Sequence, residues 1–163
     1  MSVLLCRDID LKNLLTLLNR YGMALISVAD NNPIPGSFWQ PPEAGLIKNT
    51  LYIRNDTPVH SALHETCHYV CMDSGRRKTL HTDAGGRMAI EEDSTCYLQV
   101  LLSDCIPEMR HQRLFSDMDA WGYSFRLGSA KAWFEQDAED AREWLQAHGI
   151  ITQTQQLSWQ MRT

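Results

Sequence analysis

Residues 59–70 have the sequence VHSALHETCHYV, which contains the pattern HExxH from His64 to His68. Residues four apart lie on one face of a helix, so the imidazoles of His64 and His68 can point at a single metal ion. Glu65 is rotated by about 100° from His64, where its carboxylate can reach a metal-bound water without binding the metal itself. This layout is typical of zinc-assisted hydrolysis, provided that the stretch is helical and a third ligand follows.

The residues on either side of this stretch indicate that it is helical. The preceding residues Asn55-Asp56-Thr57-Pro58 are typical of a helix start. Thr57 is a favourable N-cap, and Pro58 suits the first turn because its missing N–H has no helical partner there. Asp73-Ser74-Gly75 is a suitable end. We therefore predict a helix from about Pro58 to Met72.

A zinc site of this kind needs a third protein ligand. The extended pattern HExxHxxGxxH requires glycine at position 71 and histidine at position 74, and Cys71 and Ser74 exclude it. The other main option is a glutamate on a later helix. Glu91 and Glu92 lie 23 and 24 residues after His68, a suitable separation.

Helical periodicity favours Glu91 over Glu92 within a helix predicted from about Arg87 to Ser103. The face of Glu91 is mostly apolar and is expected to pack inward, since it carries Met88, Thr95, Leu98 and Leu102. The face of Glu92 is more polar and is expected to meet water, since it carries Cys96, Gln99 and Ser103. A metal ion would offset the cost of burying a carboxylate. We predict His64, His68 and Glu91 as zinc ligands, with Glu92 as the alternative.

The segment from about Leu51 to Leu102 resembles the ImmA/IrrE type of gluzincin metallopeptidase. The resemblance rests on a strand at 51–55, on the helix with HExxH, and on the later helix that begins with a glutamate. Tyr97 and the leucine pair 101–102 fall in register with the family when Glu91 is the ligand. The resemblance implies a zincin-like domain, a zinc cofactor, and a peptide or protein substrate.

Several positions depart from the family's usual pattern. Thr66-Cys67 stand where the family usually has a small or aliphatic residue and glycine, and Ser94-Thr95 stand where it usually has Ala-Asn. A proline that often follows the paired leucines is replaced by Ser103-Asp104. The resemblance covers about a third of the chain.

Composition and charge argue against several other classes of protein. The net charge of -5, with no long basic run, argues against a nucleic-acid partner. No apolar run approaches the roughly 20 residues that cross a membrane, and the N-terminus does not resemble a signal peptide. The five cysteines include no CxxC pair and are expected to be buried free thiols. We predict a cytoplasmic protein with no membrane partner.

The fold class that we predict is α+β, as a single zincin-like domain over residues 1–163. A small antiparallel sheet is expected to pack against the HExxH helix and the glutamate helix. Its strands are expected at 23–29 and in a hairpin at 45–54, whose edge could accept an extended peptide. Further helices are predicted from Asp8 or Asp10 to about Arg20 and from Ser129 to about His148.

The predicted activity is zinc-dependent hydrolysis of a peptide bond, with Glu65 as general base. The alternative is a metal-stabilised binding or regulatory protein of the same fold without turnover. His60 is expected to face solvent or to support the ligands. An approach of His111, Tyr123 or Arg126 to the metal, where it would steady an oxyanion, is a further option.

Overall fold

The computed structural model describes residues 2–163, which form an α+β fold with seven α-helices and a three-stranded sheet. In chain order the elements are α1 (Leu11–Arg20), β1 (Ala24–Ser27), β2 (Gly45–Ile47), β3 (Thr50–Ile53), α2 (Val59–Cys71), α3 (Ser74–Thr79), α4 (Ala89–Ser103), α5 (Arg110–Trp121), α6 (Ala130–Gln136) and α7 (Glu139–Ala147). The core is built around α2 and α4, which pack against each other.

The sheet is mixed, not antiparallel as predicted. Its strand order is β1-β3-β2, with β1 parallel to β3 and β2 antiparallel to β3. The hairpin between β2 and β3 is confirmed, and Lys48 adopts a positive φ of 49° in its turn. The prediction was wrong for β1. The long connection over residues 28–44 returns the chain across the sheet, and β3 therefore lies beside β1 and runs in the same direction.

The outer edge of β2 is already paired along its length. Thr82 donates its N–H to the carbonyl of Leu46 at 2.9 Å, and Lys48 donates to the carbonyl of Leu80 at 2.8 Å. Leu46 donates in turn to the carbonyl of Gly36 at 3.2 Å. An extended peptide would have to displace these contacts, so this edge does not offer the free strand that the hairpin suggested.

The predicted helix over HExxH is confirmed as α2. Pro58 occupies the N-cap position, and Thr57 does not cap the helix. The Thr57 hydroxyl instead accepts a hydrogen bond from the Arg54 N–H at 2.8 Å and holds the chain between β3 and α2. Most of α2 is buried between the sheet and α4, so its side chains are held by packing on several sides.

The sequence periodicity of α4 distinguishes a Glu91 face from a Glu92 face, and both faces are largely buried. The helix contacts α2, α5 and α7, so little of its circumference meets water. The stripe expected to face solvent is buried, namely Cys96, Gln99 and Ser103. Met88, expected to point inward, precedes the helix and is 67% exposed. Because several faces of α4 are buried, the burial of Glu91 does not decide which of the two glutamates faces the histidines of α2.

The C-terminal region differs from the single helix predicted there. Ser129 caps a helix as expected, by accepting from the Ala132 N–H at 3.1 Å. That helix ends at Gln136, and α7 follows after a short break. The last residues dock on the end of α2, where the Arg162 N–H donates to the Val70 carbonyl at 3.0 Å. The chain thus closes against the helix that carries HExxH.

The short helix α3 follows α2 directly, and its N-cap Asp73 accepts a hydrogen bond from the Arg76 N–H. All five cysteines are free thiols, as predicted; four of them are buried, and Cys105 is only partly buried. Within residues 2–163, the helices are too short or too polar for any of them to cross a membrane.

Candidate metal centre

Helices α2 and α4 bring two histidines to the two oxygens of one carboxylate. The Nε2 atom of His64 lies 3.1 Å from Oε1 of Glu92, and Nε2 of His68 lies 3.5 Å from Oε2 of the same residue. The two imidazole rings meet edge to face, with their centroids 4.5 Å apart. The predicted pairing of His64 and His68 on one helix face is therefore present, and Glu92 is the acid that faces them.

Gln99 fixes the orientation of His64. Its Nε2 donates to the carbonyl of His60 at 2.8 Å, so its Oε1 is turned toward Nδ1 of His64 at 2.9 Å. An amide oxygen only accepts, so Nδ1 of His64 carries the hydrogen and donates it. In the neutral imidazole this leaves the lone pair on Nε2, the atom that faces Glu92. This is the tautomer that a metal ligand requires.

His68 is held in a different way. It is buried, and its Nδ1 has no hydrogen-bond partner within residues 2–163. Burial, and then the nearby charge of His64, lower the pKa of His68 to about 3, although Glu92 acts in the opposite direction. His68 therefore stays neutral at ordinary pH, which is the form that binds metals.

Glu91, the predicted third ligand, does not approach the histidines. Arg76 donates from Nη1 to both of its carboxylate oxygens, at 2.7 and 3.0 Å, and Arg162 donates to Oε1 at 2.9 Å. A Cβ added to Gly86 would lie 2.0 Å from Oε2, so the backbone encloses the same group. The prediction that Glu91 is buried holds, since it is 6% exposed. What offsets its burial is a pair of arginines, so the carboxylate that faces the two histidines is that of Glu92 and not that of Glu91.

The charges at the histidine cluster are strongly coupled. Burial acts to raise the pKa of Glu92, but the hydrogen bond from His64 and the charge of His64 hold that pKa at about 2. Burial acts to lower the pKa of His64, but Tyr123, Cys96 and Glu92 together hold it well above the ordinary histidine value. Each of these two groups therefore favours the charged form of the other.

Glu65 lies beside the cluster and not within it. It borders a small cavity of about 130 Å³, together with Trp39 and residues 82–85. Burial is the main cause that raises the pKa of Glu65 to about 7; His64 lowers it, while Glu43, Glu92 and Asp83 raise it further. A carboxylate with a pKa near the working pH can both accept and return a proton, which is what a general base needs.

The side chains of this cluster fit a divalent metal ion. His64, Glu92 and Cys96 each offer one ligand atom, and these atoms all lie within 4.8 Å of one another. The contacts from Glu92 to the two Nε2 atoms, 3.1 and 3.5 Å, are close to the roughly 3–4 Å that separates neighbouring ligands of one zinc ion. Imidazole, carboxylate and thiol together suit zinc better than magnesium or calcium.

A cleft of about 580 Å³ opens beside His64. Its walls include Trp39, Glu43, Trp121 and Tyr123. The indole N–H of Trp121 donates to Oε1 of Glu43 at 2.7 Å, which joins the two sides of the cleft. Trp39 is 72% exposed at its rim. The candidate metal site is thus reached from a cleft of the size and partly aromatic lining that ligand sites usually have.

Of the residues considered as oxyanion partners, only Tyr123 lies at the site. Its hydroxyl is 3.2 Å from Nδ1 of His60 and 3.5 Å from Nε2 of Gln99. Burial is the main cause that raises the pKa of Tyr123 to about 12, so the hydroxyl keeps its proton and can donate. His111 instead pairs with Asp104 at 2.8 Å, and Arg126 pairs with Asp137.

His60 is buried behind the ligands and does not face solvent. Burial, then the charge of His64, lower its pKa to about 3. Its carbonyl accepts from Gln99, and its ring contacts Trp121 and Tyr123. His60 therefore belongs to the support of the site, the second of the two roles expected for it.

Sequence reasoning missed the contributions of Gln99 and Cys96. Both lie on the Glu92 face of α4, Cys96 four and Gln99 seven residues after Glu92, and were expected to face water. The sequence did contain a signal for them, because Cys96 and Gln99 follow Glu92 at helical spacing and so share its face of α4.

No family model, curated protein or solved structure matches this chain.

Proposed function

We propose that the protein is a zinc-dependent metallopeptidase in which His64, His68 and Glu92 hold the metal. The observation that carries the proposal is the placement of both Nε2 atoms against one carboxylate, beside an open cleft. The HExxH pattern adds a glutamate where a general base is needed. The resemblance to the ImmA/IrrE type of gluzincin supports the same class, with the ligand moved by one residue.

Bound zinc would supply a Lewis acid that polarises the scissile carbonyl and lowers the pKa of the attacking water. The chain's own residues supply the rest. Glu65 accepts a proton from the attacking water and returns it to the leaving amine, as its pKa near 7 permits. Tyr123, still protonated, can donate to the oxygen that becomes negative. The cleft between Trp39 and Trp121 holds the peptide.

The experiment combines metal analysis with peptide hydrolysis. The wild-type protein should hold about one zinc per chain and cleave peptides in a mixed pool, and a chelator should stop the cleavage. Glu65→Gln should keep its zinc and lose hydrolysis, whereas His64→Ala should lose both. Retention of zinc by His64→Ala would remove the metal site, and unchanged hydrolysis by Glu65→Gln would remove Glu65 from its role.

The second candidate is a metal-stabilised binding or regulatory protein that does not turn over. One observation favours it, namely the Cys96 thiol beside His64 and Glu92. Structural zinc sites have four protein ligands, whereas catalytic sites keep a position open for water. Zinc binding without any chelator-sensitive cleavage would support this candidate over the peptidase.

A further inference from the structure

We propose that Cys96 is a fourth metal ligand, which closes the site in its resting state and must leave before a substrate can be hydrolysed. This inference rests on the proposed function, because it concerns the same metal site. It adds a ligand that neither the HExxH pattern nor the later glutamate supplies.

The position of Cys96 carries the first step. It lies one helical turn after Glu92 on α4, so both side chains leave the helix on the same face. Its sulfur belongs to the group of ligand atoms within 4.8 Å of one another, with a nitrogen of His64 and an oxygen of Glu92. Cys96 is 5% exposed and is not in a disulfide.

The surroundings of the thiol point to a ligand beyond ordinary packing. Buried cysteines are common as small apolar residues, and the other three buried cysteines of this chain are explained in that way. Cys96 differs because its sulfur lies within 4.8 Å of a nitrogen of His64 and an oxygen of Glu92, and Gln99 holds His64 in this position. The buried His68 presents its own Nε2 to the other carboxylate oxygen. A nitrogen of His64 and an oxygen of Glu92 therefore already lie near the sulfur, and His68 approaches the same carboxylate.

The chemistry of the step is a ligand exchange. The S–H bond of Cys96 breaks, its proton passes to the solvent, and a sulfur–zinc bond forms in the position that water would otherwise fill. No electron is transferred, so no oxidant or reductant is required. The resulting set of two imidazoles, one carboxylate and one thiolate is complete for tetrahedral zinc. Hydrolysis then requires the thiolate to be protonated and replaced.

Cobalt(II) is a direct probe of this set, because a thiolate ligand adds an intense near-ultraviolet charge-transfer band to the weaker visible bands of the ion. The full chain, stripped of metal, is titrated with cobalt. We expect both sets of bands in the wild type and in the control Cys105→Ser, whose thiol is only partly buried. Cys96→Ser should keep the visible bands and lose the charge-transfer band.

A second measurement needs no variant and so does not depend on whether Cys96→Ser folds. X-ray absorption at the zinc edge of the zinc-loaded wild type should show one sulfur neighbour at about 2.3 Å beside nitrogen and oxygen neighbours. Competition with a chelator should show that Cys96→Ser binds zinc about 100-fold more weakly than the wild type. Loss of a residue that only orients a ligand lowers metal affinity by about 10–100-fold, and loss of a ligand itself should reach at least the upper end of that range. Given the proposed peptidase activity, the turnover of Cys96→Ser should exceed that of the wild type, because the variant lacks the thiolate that closes the site.

The possible failures are distinguishable. Visible cobalt bands without a charge-transfer band, and zinc without a sulfur neighbour, would overturn the role of Cys96 and leave the metal site intact. The absence of any cobalt or zinc binding would overturn both the role of Cys96 and the proposed function. A sulfur neighbour that persists in Cys96→Ser would assign the ligand to another cysteine and also overturn the proposal.

Discussion

Glu91 and Glu92 are adjacent in the first turn of α4, and the surroundings of their carboxylates are opposite in character. The side chain of Glu91 is 8% exposed and is held by Arg76 and Arg162. The side chain of Glu92 is 47% exposed and faces two imidazoles. An arginine is always charged and cannot bind a metal ion, whereas a neutral imidazole can. The partners, and not the burial, decide which carboxylate belongs to a metal site.

The surroundings of Glu91 and Glu92 also differ in how fully the space around each carboxylate is filled. Around Glu91, three guanidinium contacts and the backbone of Gly86 fill the space, and the docked C-terminal tail supplies one of the arginines. Around Glu92, the ligand atoms of His64 and His68 face the carboxylate, and a cleft adjoins them. We therefore expect the Glu91 region to act on folding and the Glu92 region to act on metal binding.

The largest effect on stability is expected from Glu91→Ala. It leaves Arg76 and Arg162 without their shared partner, and breaking a buried ion pair typically costs 3–5 kcal/mol. Because the two arginines are partly exposed, we expect a loss of about 3 kcal/mol in the free energy of unfolding, measured with denaturant on the metal-free protein. Glu92→Ala is the matched control and should lose clearly less. Equal losses for the two variants would contradict the division between the two regions.

A smaller, pH-dependent effect is expected from Glu65→Gln in the metal-free protein. The pKa of Glu65 is about 7 in the fold and 4.5 ordinarily, so the folded state favours the protonated carboxyl. Stability from this group is present below pH 4.5 and is lost as the pH rises through 7. At 1.36 kcal/mol per pKa unit, Glu65 can change the free energy of unfolding by at most about 3 kcal/mol between these pH values. Partial exposure of the carboxyl reduces this change to roughly 2 kcal/mol.

Glutamine cannot ionise, so Glu65→Gln should be more stable than the wild type at pH 8 and equal to it at pH 4. Denaturant unfolding at both pH values measures the difference. Glu135→Gln, which changes an exposed glutamate, is the control and should show no such dependence. A Glu65→Gln variant that gains nothing at pH 8 would mean that the carboxyl is not desolvated in the fold.

The smallest effect is expected from Gln99→Leu. The variant removes the acceptor that fixes the His64 tautomer, and loss of such support lowers metal affinity by 10–100-fold. We expect the lower end, about 10-fold or ~1.4 kcal/mol, because His68 and Glu92 are untouched. Zinc competition with a chelator measures it. Arg162→Ala, which affects only the Glu91 region, should leave zinc affinity unchanged; an equal loss in both variants would show that the regions are coupled.

Much of this arrangement follows from local sequence. The start signal at Thr57-Pro58 and the spacing of His64 and His68 predict a helix with two inward histidines, and α2 has both. Asp10 caps α1, and Ser129 caps α6, as their residue types predict. These features depend on neighbours within a few residues, which is the range over which helical periodicity and capping act.

The errors concern contacts between distant parts of the chain. The choice of Glu91 assumed that α4 has one buried face, but α4 is surrounded by α2, α5 and α7. The partner that neutralises Glu91 includes Arg162, 71 residues away, which no local pattern announces. The direction of β1 depends in the same way on the path of a long connection. Periodicity reports which positions can be buried, whereas the tertiary contacts decide what meets them.

In the proposed site, Glu92 holds one metal ion together with His64 and His68, while its neighbour Glu91 does not. The most direct measurement is zinc binding by Glu91→Ala and Glu92→Ala, compared by equilibrium dialysis and metal analysis on folded protein. We expect about one tightly bound zinc per chain in Glu91→Ala and its loss in Glu92→Ala. Retention of zinc by Glu92→Ala together with its loss from Glu91→Ala would contradict the account and return the ligand to Glu91.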